Sequence, residues 1–326
     1  MMLSAPHAHE GVTIRHVMFK VNLALLPAIL LAMLQFGMPA VFLLMTCVLT
    51  AVCCEVISLK LNPHGNGEAN DGAAILTALL LAMSLPPHAP LWLGALGSMI
   101  AVVFGKQIYG GLGQNLFNPA MLARVVLLIA FPVEMTRWVM PSDFMNGHFY
   151  IQEIDGATGA TTLGYFKESH HLAFDWMHHA FGLIRGSMGE TSALLLALGG
   201  LWLWQQKVFT WHAPLMTLLG CLIPGTLHWW LSPTGITPPL AQLTSGGLLL
   251  GAFFIVTDPV TSPTSNLGKV IFGLLTGFLI YIIRTFGNFP EGVAFAVLLA
   301  NAATPLIDNY TRPKAYGYQP TKEAQS

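Results

Sequence analysis

Charge is what this chain has least of. Asp, Glu, Lys and Arg together make up 9% of its 326 residues, and the formal net charge is −1. Ordinary globular domains carry about 25% charged residues. With 54% hydrophobic residues and a mean hydropathy of +0.62, a soluble globule is excluded, and a polytopic membrane protein whose first partner is the lipid bilayer is expected. No basic block is dense enough to follow a nucleic acid or a headgroup layer, so nucleic acid is not an expected partner. Cysteine is scarce too. Cys47, Cys53 and Cys54 share one apolar segment and Cys221 lies in another, without Cys-x-x-Cys spacing, which speaks against a self-contained iron–sulfur or zinc site. Small helix-packing residues are the plainer reading. No glycine-rich dinucleotide turn follows a strand. Met1 to Lys20 holds three histidines, Arg15 and Lys20 but no apolar run, so a cleaved leader is not expected there.

Long apolar runs are abundant. A spanning helix needs about 20 mostly apolar residues, and ten segments come near that, at 18–36, 40–59, 72–85, 91–109, 119–132, 191–205, 211–230, 243–257, 269–285 and 290–306. The expected fold is an all-α membrane protein of about ten transmembrane helices. The third, fifth and eighth are short, limited by Pro86-Pro87, Pro132 and Pro259, so interrupted helices are predicted there. Lys and Arg concentrate on the side of the N-terminus, from Arg15 and Lys20 through Lys60, Lys106, Lys207 and Lys269 to Arg312, Lys314 and Lys322. By the positive-inside rule both termini are cytoplasmic and the long connection 133–190 is periplasmic in a bacterial inner membrane.

A weak internal repeat divides the chain. Asp71-Gly72 and the apolar run ending at Pro86-Pro87 resemble Ser245-Gly246 and the run ending at Asp258-Pro259. Gly113-Gln-Asn115-Leu-Phe-Asn118-Pro119 is echoed by Gly287-Asn288-Phe-Pro290. With five helices per half, the copies face opposite ways, an inverted repeat. The expected organisation is a first half at 1–132, a loop at 133–190 and a second half at 191–326. The loop is aromatic enough to be ordered. Its paired histidines, His170, His171, His178 and His179, fit an amphipathic surface helix better than a metal site.

The most informative motif lies in that loop. Asp155-x-x-Thr158-Gly159-Ala160-Thr161 fits Asp-x-x-[Ser/Thr]-Gly-Ala-[Ser/Thr], the pattern of chains that carry FMN in phosphoester linkage on the last residue. Chance occurrence in a chain this long is on the order of a few per thousand. The competing reading is a Gly/Thr-rich turn whose hydroxyls bond locally.

From about Arg15 to Asp308 the chain resembles the membrane D subunits of the Rnf (also Rsx) electron-transport complexes, and is similar to the B subunits of the sodium-pumping NADH:quinone oxidoreductases. Gly110 to Ala120, Thr257-Asp258-Pro259-Val260 and Asp155 to Thr162 carry the resemblance, and the absence of a long N-terminal extension favours the Rnf type. The resemblance implies covalent FMN on Thr161. It also implies a non-covalent riboflavin beside Asn115 and Asn118, whose amides suit a flavin pyrimidine edge and whose spacing would place both on one helix face. For Asn118 the plainer alternative is capping ahead of Pro119. Arg137, Lys167 and Arg185 are candidate cations for the FMN phosphate, with ordinary loop salt bridges equally open.

Ionisable residues near spanning helices are functional candidates. Asp258 and Asp308 correspond to acids of the related quinone reductase linked to its ion path. Asp71 is a third candidate, against a plain N-cap ahead of Gly72, and Arg124 is expected in a buried structural ion pair. Gly273-x-x-x-Gly277 and Gly247-x-x-x-Gly251 are expected as packing faces. The implied activity is that of one member of an ion-translocating NAD:ferredoxin oxidoreductase, incomplete alone. Its implied partners are the Rnf subunits A, B, C, E and G, the last carrying its own covalent FMN, and a flavin transferase for maturation. The competing class is a small-solute channel or secondary transporter of the same inverted architecture, which has no use for a flavin-attachment run. A scaffold with an unmodified motif is the third reading.

Overall fold

The computed structural model describes residues 13–61, 71–142, 161, 163–165, 178–179, 182–190, 192–232, 237–287 and 291–312. Among them every one of the ten expected segments holds helix, and there is no β-strand. The first half comprises α1 (Ile14–Phe36), α2 (Met38–Leu61), α3 (Ala73–Ser84), α4 (Leu91–Met99) and α5 (Pro119–Ala130). The second comprises α6 (Ala193–Gln205), α7 (His212–Leu231), α8 (Pro239–Thr244), α9 (Leu248–Leu250), α10 (Asn266–Phe286) and α11 (Val293–Tyr310). α4 and α9 each run on into a single π-helical stretch, Ile100–Phe104 and Gly251–Ile255.

Among the described residues, five runs are long and apolar enough to cross a membrane: Ile14–Phe36, Met38–Leu61, Leu91–Tyr109, Asn266–Phe286 and Val293–Tyr310. α1 and α2 show why they belong in lipid. Leu26, Leu30, Leu34, Phe42, Met45 and Leu49 are exposed on their outer faces, while Ala28, Ala32, Phe36, Leu43 and Cys47 are buried inside. A soluble protein leaves no such continuous apolar belt uncovered. The chain is an all-α, multi-pass membrane protein.

α1 begins earlier than the apolar run suggests, because Thr13 caps it, its hydroxyl accepting from the His16 amide at 3.3 Å. α3 stops before Pro86 and α5 before Pro132, as the prolines predict. The eighth segment breaks earlier than Pro259. Gly246 and Gly247 sit at φ +68° and +65°, left-handed backbone open to glycine, and they separate α8 from α9. Gly72, at φ +80°, occupies the matching position before α3. It lies at the face where α1 begins, its carbonyl within 3.5 Å of the Asn22 side-chain amide. Gly246 lies beside the end of α10, its carbonyl accepting from Arg284.

The halves also pack alike. α2 lies against α3 and α4 as α7 lies against α8 and α10, and the halves join through α1 with α6 and α5 with α11. The α7–α10 crossing is close because Gly220, Gly273 and Gly277 face backbone; a Cβ on Gly273 would sit 2.6 Å from the Ala213 carbonyl oxygen. The packing role expected for Gly273 and Gly277 therefore holds. Gly247 departs from it: a Cβ there would meet nothing within 4 Å, so its φ, and not close packing, calls for glycine.

Candidate functional site

Between the halves, at the face where α1 begins, lies a cavity of about 80 Å³. That is well below the roughly 300–1,000 Å³ of small-ligand pockets, so a ligand larger than a few waters requires the walls to part. Apolar walls come from α1 (Val21), α3 (Leu80) and the second half (Phe254), with Lys106, Asn115, Asn118 and Asp258 as its principal polar groups. The chain between α4 and α5 reaches the cavity by turning on Gly110, Gly111 and Gly113, at φ +111°, +99° and +89°.

Asn115 and Asn118 are brought together, but not by a shared helix face. α5 starts at Pro119, so Asn115 stands on the preceding loop. The amides are oriented in opposite senses. Asn115 Nδ2 donates to the Phe117 carbonyl at 3.1 Å, leaving its Oδ1 to accept. Asn118 Oδ1 accepts from the Met121 amide at 3.2 Å, leaving its Nδ2 to donate. Capping and cavity lining are thus both true of Asn118. The pair offers one acceptor and one donor at the rim of an apolar slot, which fits the alternating C=O and N–H edge of a flavin pyrimidine ring.

Lys106 is no loop charge, although its place among the face-marking lysines suggested one. It is 2% exposed. Its Nζ donates to Glu55 Oε1 at 2.6 Å and lies 4.0 Å from Asp71 Oδ2. Asp71 Oδ1 in turn accepts from the Ala73 amide at 2.7 Å, the N-capping role that competed with an ion-path role. Asp258 Oδ1 accepts from the Val260 amide and Oδ2 from the Thr261 hydroxyl, both at 3.1 Å, while lining the cavity. Asp308 lies apart from the cavity. It ties α11 to the Thr264 amide at 3.0 Å and hydroxyl at 3.2 Å.

Thr161 lies at the other face, 3% exposed. Its Oγ1 accepts from the Gly164 amide at 3.1 Å, the start of a single helical turn at 163–165. Leu163 rests on the Gly246 break. His179 lies 3.2 Å from the hydroxyls of both Thr244 and Ser245, so the loop is docked on the second half. Asp155, Thr158, Gly159, Ala160, Lys167, His170, His171 and Asn288 lie outside the described residues. Arg137 is exposed and Arg185 half-buried. No metal-holding group of His, Cys, Asp or Glu occurs among the described residues.

Arg124 forms the expected ion pair, with Glu291. Sequence reasoning missed Glu55, Glu190, Arg284 and Glu291 as partners in buried networks. For Glu55 and Arg284 a signal existed, a single charge within an apolar run.

Together the fold and cavity define a class: an all-α, multi-pass membrane protein with a small polar-lined cavity inside its helix bundle. The chain belongs to the NQR2, RnfD, RnfE family, whose description matches residues 1–317. It is 46% identical over 328 residues to a Stutzerimonas stutzeri protein named as the D subunit of an ion-translocating oxidoreductase complex, covering 94% of this chain and 92% of the relative. Proteins of the same name from Sodalis glossinidius and Escherichia coli (strain SE11) are 44% and 41% identical, each covering 97% of this chain and 98% of the relative.

Proposed function

We propose that this chain is the D-type membrane component of an Rnf-type ion-translocating oxidoreductase complex, carrying FMN covalently on Thr161 and riboflavin in the cavity at Asn115 and Asn118. The observation that carries the reading is the placement of a cavity lined by two side-chain amides at one face and the motif threonine at the other. Bound flavins would supply electron transfer between NADH- and ferredoxin-linked partners across the bilayer, coupled to Na⁺ or H⁺ movement. The chain's own part is to hold them. At Thr161 one local hydrogen bond meets the hydroxyl, and an ester oxygen there still accepts it. Asp155, Thr158, Gly159 and Ala160 form the sequence run read by a flavin transferase. The Rnf subunits A, B, C, E and G complete the enzyme. Both termini are cytoplasmic and the Thr161 loop is periplasmic, in the bacterial inner membrane.

The test is ultraviolet fluorescence of the denatured chain in a gel, followed by peptide mass spectrometry over Asp155 to Lys167. FMN mass on Thr161 is expected; an unmodified peptide from cells that hold the transferase rejects the reading in favour of a solute channel. For the second flavin, Asn115→Leu with Asn118→Leu removes two hydrogen-bonding amides worth about 1–2 kcal/mol each. Non-covalent riboflavin affinity should fall on the order of a hundredfold, and unchanged extractable flavin would refute the site.

Asp258 and Asp308 are proposed in the ion path, Asp258 because it lines the cavity. Asp71, bonded to its own helix start, is the weaker third member. Asp258→Ala or Asp308→Ala should slow ion uptake by vesicles on the order of tenfold, a barrier rise of ~1.4 kcal/mol. Normal uptake in both variants would move the path elsewhere.

A further inference from the structure

A second polar cluster lies at the Thr161 face, where four segments meet. Arg124 of α5 pairs with Glu291, which stands just ahead of α11 and so joins the first half to the second. Glu190 ends the long loop at 4% exposure. Its Oε1 accepts from the Ser187 amide at 3.1 Å and hydroxyl at 2.8 Å, and its Oε2 from the Gly246 amide at 2.8 Å. Arg284, near the end of α10, is committed elsewhere. Its guanidinium donates to the carbonyls of Gln242 at 2.6 Å and of Ser245 and Gly246 at 2.8 Å each.

The charges do not simply cancel. Glu190 accepts from three neutral donors, and Arg284 gives its three bonds to carbonyls while its Nε is buried with no acceptor. Glu291 Oε1 is different: it is buried with no donor, on a side chain only 10% exposed. The carboxyl of Glu190 stands close enough to hydrogen-bond with Glu291 once a proton is present. Two acceptors in contact repel unless a cation lies between them. A bare anionic oxygen in that surrounding is costly, and protonation turns the same contact into an O–H···O bond.

We infer that the Glu190–Glu291 pair is a binding site for one exchangeable monovalent cation where α5, α10 and α11 meet the end of the long loop. The exchange is Glu291–COOH releasing H⁺ to give the carboxylate, with no electron moved. Burial, and next the negative charge of Glu190, raise the Glu291 carboxyl to about 8, against the opposing pull of Arg124 and Arg284. A group held above its ordinary value favours the fold while protonated, so that contribution is lost as pH rises through about 8. The site shares Gly246 with the Thr161 turn, since Glu190 bonds its amide and Leu163 rests upon it. Its occupancy nevertheless does not depend on a flavin.

Infrared titration of the full-length protein, in the membrane assembly in which it occurs, tests this from about pH 6 to about pH 9. In sodium-free buffer the wild type should show a protonated-carboxyl C=O band that disappears through about pH 8. Glu291→Gln should lack the band. Glu190→Gln, which removes the neighbouring negative charge, should shift its loss downward by about one pH unit. Repeating the titration in sodium chloride separates the sources: a further downward shift identifies a site shared with Na⁺, and an unmoved band one reserved for the proton. Both support a cation site. A wild type with no band dependent on either residue overturns it and leaves an ionised structural network. Should Glu291→Gln fail to assemble, the Glu190→Gln shift decides alone.

Discussion

Thr161→Ala should strip the denatured chain of all ultraviolet-excited flavin fluorescence, an all-or-none change, while assembly and membrane insertion persist. A phosphoester needs a hydroxyl, and alanine supplies none. The structural cost is small because the side chain makes one local hydrogen bond, to the Gly164 amide, and removing such a cap costs ~0.5–2 kcal/mol. Thr161→Ser is the decisive companion, since the motif accepts either hydroxyl. Fluorescence should return with serine, and the flavin-bearing peptide should again end its motif at 161. Flavin retained on the denatured alanine variant would place the attachment at another residue. In-gel fluorescence with peptide mass spectrometry reads every outcome.

The largest expected loss of stability is at Lys106. Its ammonium and the Glu55 carboxylate are both buried, 2.6 Å apart, between α2 and the end of the α4 run. Lys106→Ala leaves the Glu55 carboxyl buried without its cation, and breaking a buried pair from one side costs ~3–5 kcal/mol. Glu55→Ala strands the ammonium in the same way, although Asp71 at 4.0 Å offers it partial compensation. Its cost should therefore be the smaller of the two. The double variant Glu55→Gln with Lys106→Met should be more stable than Lys106→Ala, because neither charge of the pair is left facing an absent partner. Thermal unfolding in detergent of the singles and the double measures this ordering. Singles costing below ~1 kcal/mol would mean the pair is hydrated. Lys106 also lines the cavity, so the destabilised variant should lose extractable flavin along with its fold.

Much of the fold was legible because the bilayer imposes a length on every apolar run. Ten expected segments each hold helix, and prolines at 86 and 132 end α3 and α5 where they should. The break in the eighth segment was harder to read. Pro259 was the visible stop, yet the chain parts at Gly246-Gly247, where only the backbone torsion reveals what glycine is for. Asn115 and Asn118 were rightly grouped and wrongly explained, since spacing of three implies one face only inside a helix, and Asn115 precedes α5. The ion pairs escaped for a general reason. Glu55 with Lys106 and Arg124 with Glu291 span 51 and 167 positions, and composition carries no information about which distant charges meet. A contiguous run such as Asp155 to Thr161 offers itself to sequence reading; contacts assembled by topology do not.

The cavity is walled by residues of both halves, with Val21, Leu80 and Asn118 from one and Phe254 and Asp258 from the other. Any ligand gripped there senses their relative orientation, and linkage makes that relation mutual. An orientation that favours the reduced ligand over the oxidised one raises its midpoint potential. Reduction must then favour that orientation by the same free energy. For a redox ligand held there, redox state and bundle geometry would be conjugate variables, and a mutation in either wall would shift both.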